Sequence, residues 1–150
     1  MVNMCTWSAS QYRAAADKHY KVCNLLRREY DGNRNKKCLV SNLFYLGGYV
    51  IECTLKYLIL CTEPDRDKSY IKEELRDMHL LTHNLQELHR LASEHVDGFT
   101  ISWHELNQNT KKWDESVRYD KPIENQYHQC IRNGFWTDVD KIYNIMRENY

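Results

Sequence analysis

A glutamate and a lysine, Glu52 and Lys56, stand four residues apart inside the most apolar run of the chain, Asn42 to Leu60. Glu preceding Lys at that spacing is the favoured order for a helical ion pair, worth about 0.2–0.5 kcal/mol when exposed. Tyr45, Gly48 and Tyr49 project from the same side of such a helix. That side is therefore mixed, with polar groups, aromatic rings and a stretch of bare backbone. A second spacing suited to chemistry is His79 with His83, which would share a face on one continuous helix. Two imidazoles could ligate a metal, but Thr82 looks like a helix start between them and no third ligand can be identified. No metal site and no cofactor is therefore assigned. The chain also has no glycine-rich phosphate loop, no nucleophile elbow and no cysteine–histidine set with zinc spacing.

The element that must carry Glu52 and Lys56 is a central helix. Leu39, Leu43, Leu46, Val50, Tyr57 and Leu58 follow one apolar stripe, and Phe44, Ile51, Leu55 and Ile59 follow another. Two stripes mean contact with neighbours on more than one side. Gly47-Gly48 in its interior costs about 1 kcal/mol per residue relative to alanine, which is tolerated where another element must approach closely. A second helix of the bundle, or the same helix of a second subunit, would serve. The run from Leu39 to Cys61 is long enough to cross a membrane. Glu52 and Lys56 near its centre would cost about 2.5–3.5 kcal/mol each there, so a buried helix of a soluble domain is expected.

The other segments are also helical in pattern. Ser8 with Gln11 has the form of a capping box. Behind it, Tyr12, Ala15, Ala16, His19, Val22, Cys23 and Leu26 make one apolar stripe over about residues 10–28. The loop that follows holds Arg27, Arg28, Arg34, Lys36 and Lys37; its plain reading is a solvated loop, and its alternative a phosphate-contacting patch. A short helix is expected over residues 70–81. Thr82 is expected to cap a further helix with Leu85, Leu88, Leu91 and Ala92 inward. Residues 102–117 look weakly helical, anchored by Trp103, Leu106 and Trp113, and a turn at Pro122 leads into a last helix over about residues 126–148. Gly134 weakens the middle of that helix.

With 150 residues, five glycines and two prolines, the composition favours one all-α domain spanning 1–150, its core about 10–148. The expected fold is an antiparallel up-and-down bundle of five to six helices. Charges balance at 21 basic and 21 acidic, which excludes a strong global field for nucleic acid or an anionic membrane. The first ten residues have neither the basic nor the apolar part of a secretory signal. The six cysteines include no C-x-x-C pair, so reduced thiols in a cytoplasm are expected.

The order of segments resembles the HEPN family, the higher eukaryote and prokaryote nucleotide-binding helical domains. The residues that carry the resemblance are Glu52 and Lys56 amid "YLGGYVIECTLKYLI", then Thr82-His83-x-Leu85, then Arg118-Tyr119 before the last helix. The resemblance implies a helical bundle that dimerises, with Glu52, Lys56, Arg118 and Tyr119 on a binding face. It also implies one of two roles. Many members are metal-independent endoribonucleases, often toxins or antiviral effectors, whose signature is an Arg followed a few residues later by a His. Others lack the signature and act as nucleotide- or RNA-binding accessories, or as partners of nucleotidyltransferases.

Metal-free RNA cleavage needs a group that moves a proton near neutral pH, as histidine does, and a cation to steady phosphate charge, as arginine does. Arg13 with His19, Arg76 with His83, and Arg90 with His95 have about the right spacing, and a chain this rich in both residues produces such pairs by chance. Nuclease members carry the signature late. Here Arg132-Asn133 has no histidine after it, His128 being the last. The expectation is therefore a nucleotide- or RNA-binding or regulatory homodimer, in a toxin–antitoxin or defence setting with a nucleotidyltransferase partner. The alternative is a divergent ribonuclease using Arg76 and His83.

Overall fold

The computed structural model describes residues 8–32, 38–62, 82–119, 129 and 131–149. Five α-helices lie among them, α1 (Ala9–Gly32), α2 (Cys38–Cys61), α3 (Leu85–His95), α4 (Gln108–Lys111) and α5 (Trp136–Asn149). There is no strand among the described residues. The fold is an all-helical bundle, as the composition and periodicity imply. The short helix expected over residues 70–81 and the turn at Pro122 lie outside the described residues.

Helix α1 starts as its sequence predicts. The Ser8 N–H donates to Gln11 Oε1 at 2.7 Å, and the Gln11 N–H donates to Ser8 Oγ at 3.3 Å, a reciprocal capping box. Tyr12, Ala15, Ala16, Cys23 and Tyr30 form its buried face. Val22, expected inward, is 40% exposed. One residue's turn about the axis separates it from the fully buried Cys23, enough to move it off the face that meets α2.

Helix α2 is the centre of the molecule, touching α1, α3 and α5. Both of its apolar stripes are inside, apart from partly covered Leu39 and Leu46. Its most apolar window is 78% buried, as befits the core helix of a bundle. The Gly47-Gly48 step has a direct cause. A Cβ on Gly47 would come within 2.6 Å of Phe135 Cε1 and 3.3 Å of Val139 Cγ2. A Cβ on Gly48 would fall inside the indole of Trp113. The close approach is thus filled by the chain's own aromatic side chains, which leaves the glycines no room for the helix of a second copy.

Four boundaries differ from expectation. Helix α1 runs on to Gly32, so Arg27 and Arg28 belong to it and not to the loop that follows. Asn84, not Thr82, caps α3: its Oδ1 accepts from the Glu87 N–H at 3.2 Å, while Thr82 Oγ1 accepts from the Asn84 N–H at 3.0 Å. The Thr82 hydroxyl shapes the approach and the Asn84 carboxamide oxygen closes the helix. Residues 102–117 do not make one helix. They fold as turns around the short α4 and a single 3-10 turn, Glu115–Tyr119. The buried Asp138 takes this segment over by accepting from the Asn107 N–H at 2.6 Å and from the Thr110 hydroxyl. The last helix is interrupted: a π-helical stretch, Ile131–Phe135, precedes α5 at Trp136, and the start expected near residue 126 lies outside the described residues. Gly134, at φ +101°, kinks the chain just before α5, and a side chain there would also press on Asn107 Nδ2 at 2.8 Å.

Helices α1 and α5 are latched by paired tyrosines. Tyr20 stacks on Tyr143 with centroids 3.8 Å apart. The Tyr20 hydroxyl donates to Asp140 at 2.7 Å and the Tyr143 hydroxyl to Asp17 at 2.5 Å. This fixes the two long walls between which α2 lies.

Candidate functional site

Glu52 and Lys56, which the sequence placed on a mixed face of the central helix and the resemblance on a binding face, are buried, at 1% and 4% exposure. Lys56 Nζ lies 3.4 Å from Glu52 Oε2 and 5.5 Å from the centroid of the Tyr12 ring. Tyr12 comes from α1, so the charged face of α2 is closed over by its neighbour. Burial and the nearby Cys53 and Glu52 push the Tyr12 hydroxyl up to about 12. Burial likewise pushes the Cys53 thiol to about 12, which leaves it an inert small hydrophobe at neutral pH.

The second oxygen of Glu52 has a partner from another element. His83 Nδ1 lies 2.7 Å from Glu52 Oε1. Because a carboxylate oxygen accepts, Nδ1–H donates, and Nε2 is the nitrogen left for a ligand. The imidazole is half-exposed, its side chain 44% accessible, so one edge is anchored in the core while the other meets solvent. The segment leading into α3 holds it there, with Asn84 capping that helix directly after it. Histidine oriented through one nitrogen by a buried carboxylate is the arrangement that general acid–base catalysis uses.

Beside His83 opens a cavity of about 330 Å³. Its lining includes His83, Trp103, Lys111, Trp113, Asp114 and Glu115. All of these but Glu115 are placed by a contact already described or by one that follows. Trp113 rests on Gly48, stacks on Tyr45 with centroids 6.4 Å apart, and donates from Nε1 to the Tyr45 carbonyl at 3.2 Å. Trp103 packs on His89 at 5.4 Å between centroids, and His89 Nε2 donates to the Ile101 carbonyl at 2.7 Å. Lys111 Nζ lies 5.9 Å from the centroid of the Trp103 ring. Asp114 Oδ1 accepts from the Ser116 N–H at 2.7 Å. The Ser116 N–H and hydroxyl, with a smaller contribution from nearby His83, hold that carboxyl below its usual range.

The residues suggested by sequence thus divide. Glu52, Lys56 and His83 are brought together, although they come from two separate motifs. Arg76 lies outside the described residues, as does His79. Arg118 and Tyr119 end the 3-10 turn that follows the cavity, and their side chains lie outside the described residues. The other Arg–His spacings do not form pairs: Arg13 donates to the Tyr57 hydroxyl at 3.1 Å, while His19 packs edge-on against Tyr49 at 5.1 Å. Arg90 is held on the surface by Glu87 and Glu94. The cavity walls Lys111, Asp114 and Glu115 were missed. Their signal was present in "KKWDES", where an indole sits among charges instead of in an apolar stripe.

Among the described residues no cluster of three or more potential metal ligands occurs. The chain matches no family model, no curated protein and no solved structure. What the fold and site define is a class: an all-helical bundle whose buried charged face reaches the surface at His83, beside a mainly polar cavity.

Proposed function

We propose that this chain is a HEPN-like nucleotide- or RNA-binding accessory protein that takes an unpaired nucleotide in the cavity beside His83. The observation that carries this reading is the wall itself. Part-exposed Trp103 offers an indole for stacking a base, while Lys111 and His83 offer cationic or donor groups for its phosphate. Stacking is worth about 1–3 kcal/mol per base, so the walls alone would support sequence-tolerant binding of single strands. An up-and-down homodimer in the cytoplasm, working beside a nucleotidyltransferase in a toxin–antitoxin or defence system, is the setting that the resemblance suggests. Light scattering at micromolar concentration tests the dimer, and a monomer there would rule it out.

The test of binding is fluorescence anisotropy with a short labelled single-stranded RNA in excess chelator. Binding should weaken as salt rises, and Trp103→Ala should weaken it by about 5- to 150-fold, the equivalent of one lost stack. Binding unchanged in both Trp103→Ala and Lys111→Ala would place the RNA elsewhere and remove the reading.

The Glu52–His83 contact favours a second reading, metal-independent ribonuclease activity with His83 as the proton-transfer group. Cleavage in chelator that is lost in His83→Ala, with the RNA still bound, would establish it. An intact RNA after prolonged incubation with the native protein would exclude it.

A further inference from the structure

Resting on the nucleotide-binding reading above, we infer that the cavity is selective for guanine and that Asp114 is the residue that reads the base. Its size, about 330 Å³, lies at the lower end of small-molecule sites, which suits one nucleotide and excludes a stretch of helix. The part-exposed indole of Trp103 can stack any base, because every base has a π-face. Choice among bases must therefore come from the polar groups on the wall.

Among those groups Asp114 is the one with both a set orientation and a set charge. The Ser116 N–H anchors Oδ1 at 2.7 Å, which starts the 3-10 turn and aims the carboxyl group. An ionised carboxylate only accepts, and its two oxygens offer about four lone-pair sites, so capacity remains after Ser116 is served. Guanine alone presents two adjacent N–H donors on its pairing edge, the ring N1–H and the exocyclic amino group. Adenine and cytosine each set an amino group beside a ring acceptor that a carboxylate repels, and uracil sets its single N–H between two carbonyls. A fixed anionic acceptor therefore favours guanine through a pair of charge-assisted hydrogen bonds. Gln86, which also lines the cavity, carries both a donor and an acceptor and discriminates less.

Lys111 Nζ lies 5.9 Å from the Trp103 ring centroid, near enough to a nucleotide held beside that ring to meet its phosphate.

The experiment uses the full chain and four labelled RNAs: tetrauridine, and the three variants whose third base is guanine, adenine or cytosine. Anisotropy titrations should give the guanine RNA an affinity about 5- to 150-fold above the others, the range for one good bidentate contact. Asp114→Asn keeps the oxygen that accepts from Ser116 but replaces the second acceptor with a donor. It should bring the guanine RNA to within about threefold of the rest without weakening the other three. Equal affinity of all four RNAs for the native chain would overturn guanine selectivity and leave nucleotide binding standing. A uniform loss across all four in Asp114→Asn would show a positioning role and overturn base reading. No binding of any of them, or binding indifferent to Trp103→Ala, would take down both this inference and the reading on which it rests.

Discussion

Replacing Gly48 by alanine isolates the contact that joins the central helix to the cavity. By helix propensity alone the change should stabilise by about 1 kcal/mol. The structure demands the reverse, because the new Cβ would occupy the indole of Trp113 and that side chain must leave its seat. Trp113 is only 6% exposed. A tryptophan buries about 150–250 Å², which at about 25 cal/mol per Å² is worth about 4–6 kcal/mol. Loss of roughly half that burial, together with a hydrogen bond to the Tyr45 carbonyl worth about 1 kcal/mol, outweighs the propensity gain. The expected net cost is about 2–3 kcal/mol, or a fall in Tm of about 5–10 °C for a chain of this size. Urea denaturation followed by far-UV circular dichroism measures it. Gly32→Ala is the internal control, since a Cβ there meets nothing within 4 Å, and it should be neutral or slightly stabilising. Gly48→Ala behaving like Gly32→Ala would refute the seating of Trp113 on α2 and with it the geometry of the cavity wall.

Lys56→Met should destabilise by about 3–5 kcal/mol, because Glu52 would remain buried with only the half-exposed His83 beside it. Adding Glu52→Gln to that variant should recover most of the loss in urea midpoint; equal costs for the single and double variants would contradict a coupled buried pair. A third expectation concerns acid. Burial lowers His19 and His89 below the ordinary value of 6.5, with Lys18 adding to the effect at His19 and the Ile101 hydrogen bond opposing it at His89. The unfolded chain then takes up protons before the native one, so stability is full above about pH 6.5 and is lost as pH falls. His89→Gln should flatten that slope in denaturation midpoints between about pH 7.5 and 5; an unchanged slope would clear His89 of any part in it.

Periodicity carried the long elements well. The Ser8–Gln11 box, the buried face of α1 and the two stripes of α2 are local properties, set by side-chain spacing of about 3.6 residues and by the groups at a helix end. Where local pattern was weak, distant groups won. Residues 102–117 contain apolar anchors at helical spacing, yet Asp138 captures Asn107 and Thr110 and breaks the segment into turns. Similarly, the periodic positions before Trp136 do not extend α5, because Gly134 turns the chain with a positive φ. Asn84 replaced Thr82 as the cap of α3 because both residue types bear a suitable acceptor and only the path of the chain chooses between them.

Sequence by itself determined an all-helical chain, a central helix and the presence of a Glu–Lys pair four apart on it. It also implied that Gly47-Gly48 needed a close neighbour. Tertiary structure alone decided who that neighbour was, and that the charged pair is buried under Tyr12 with His83 on its open end. The physical reason is reach. Helix pattern and caps depend on residues within one turn, whereas Trp113 on Gly48 and His83 on Glu52 join segments that approach each other only when α2 is enclosed by the rest of the bundle.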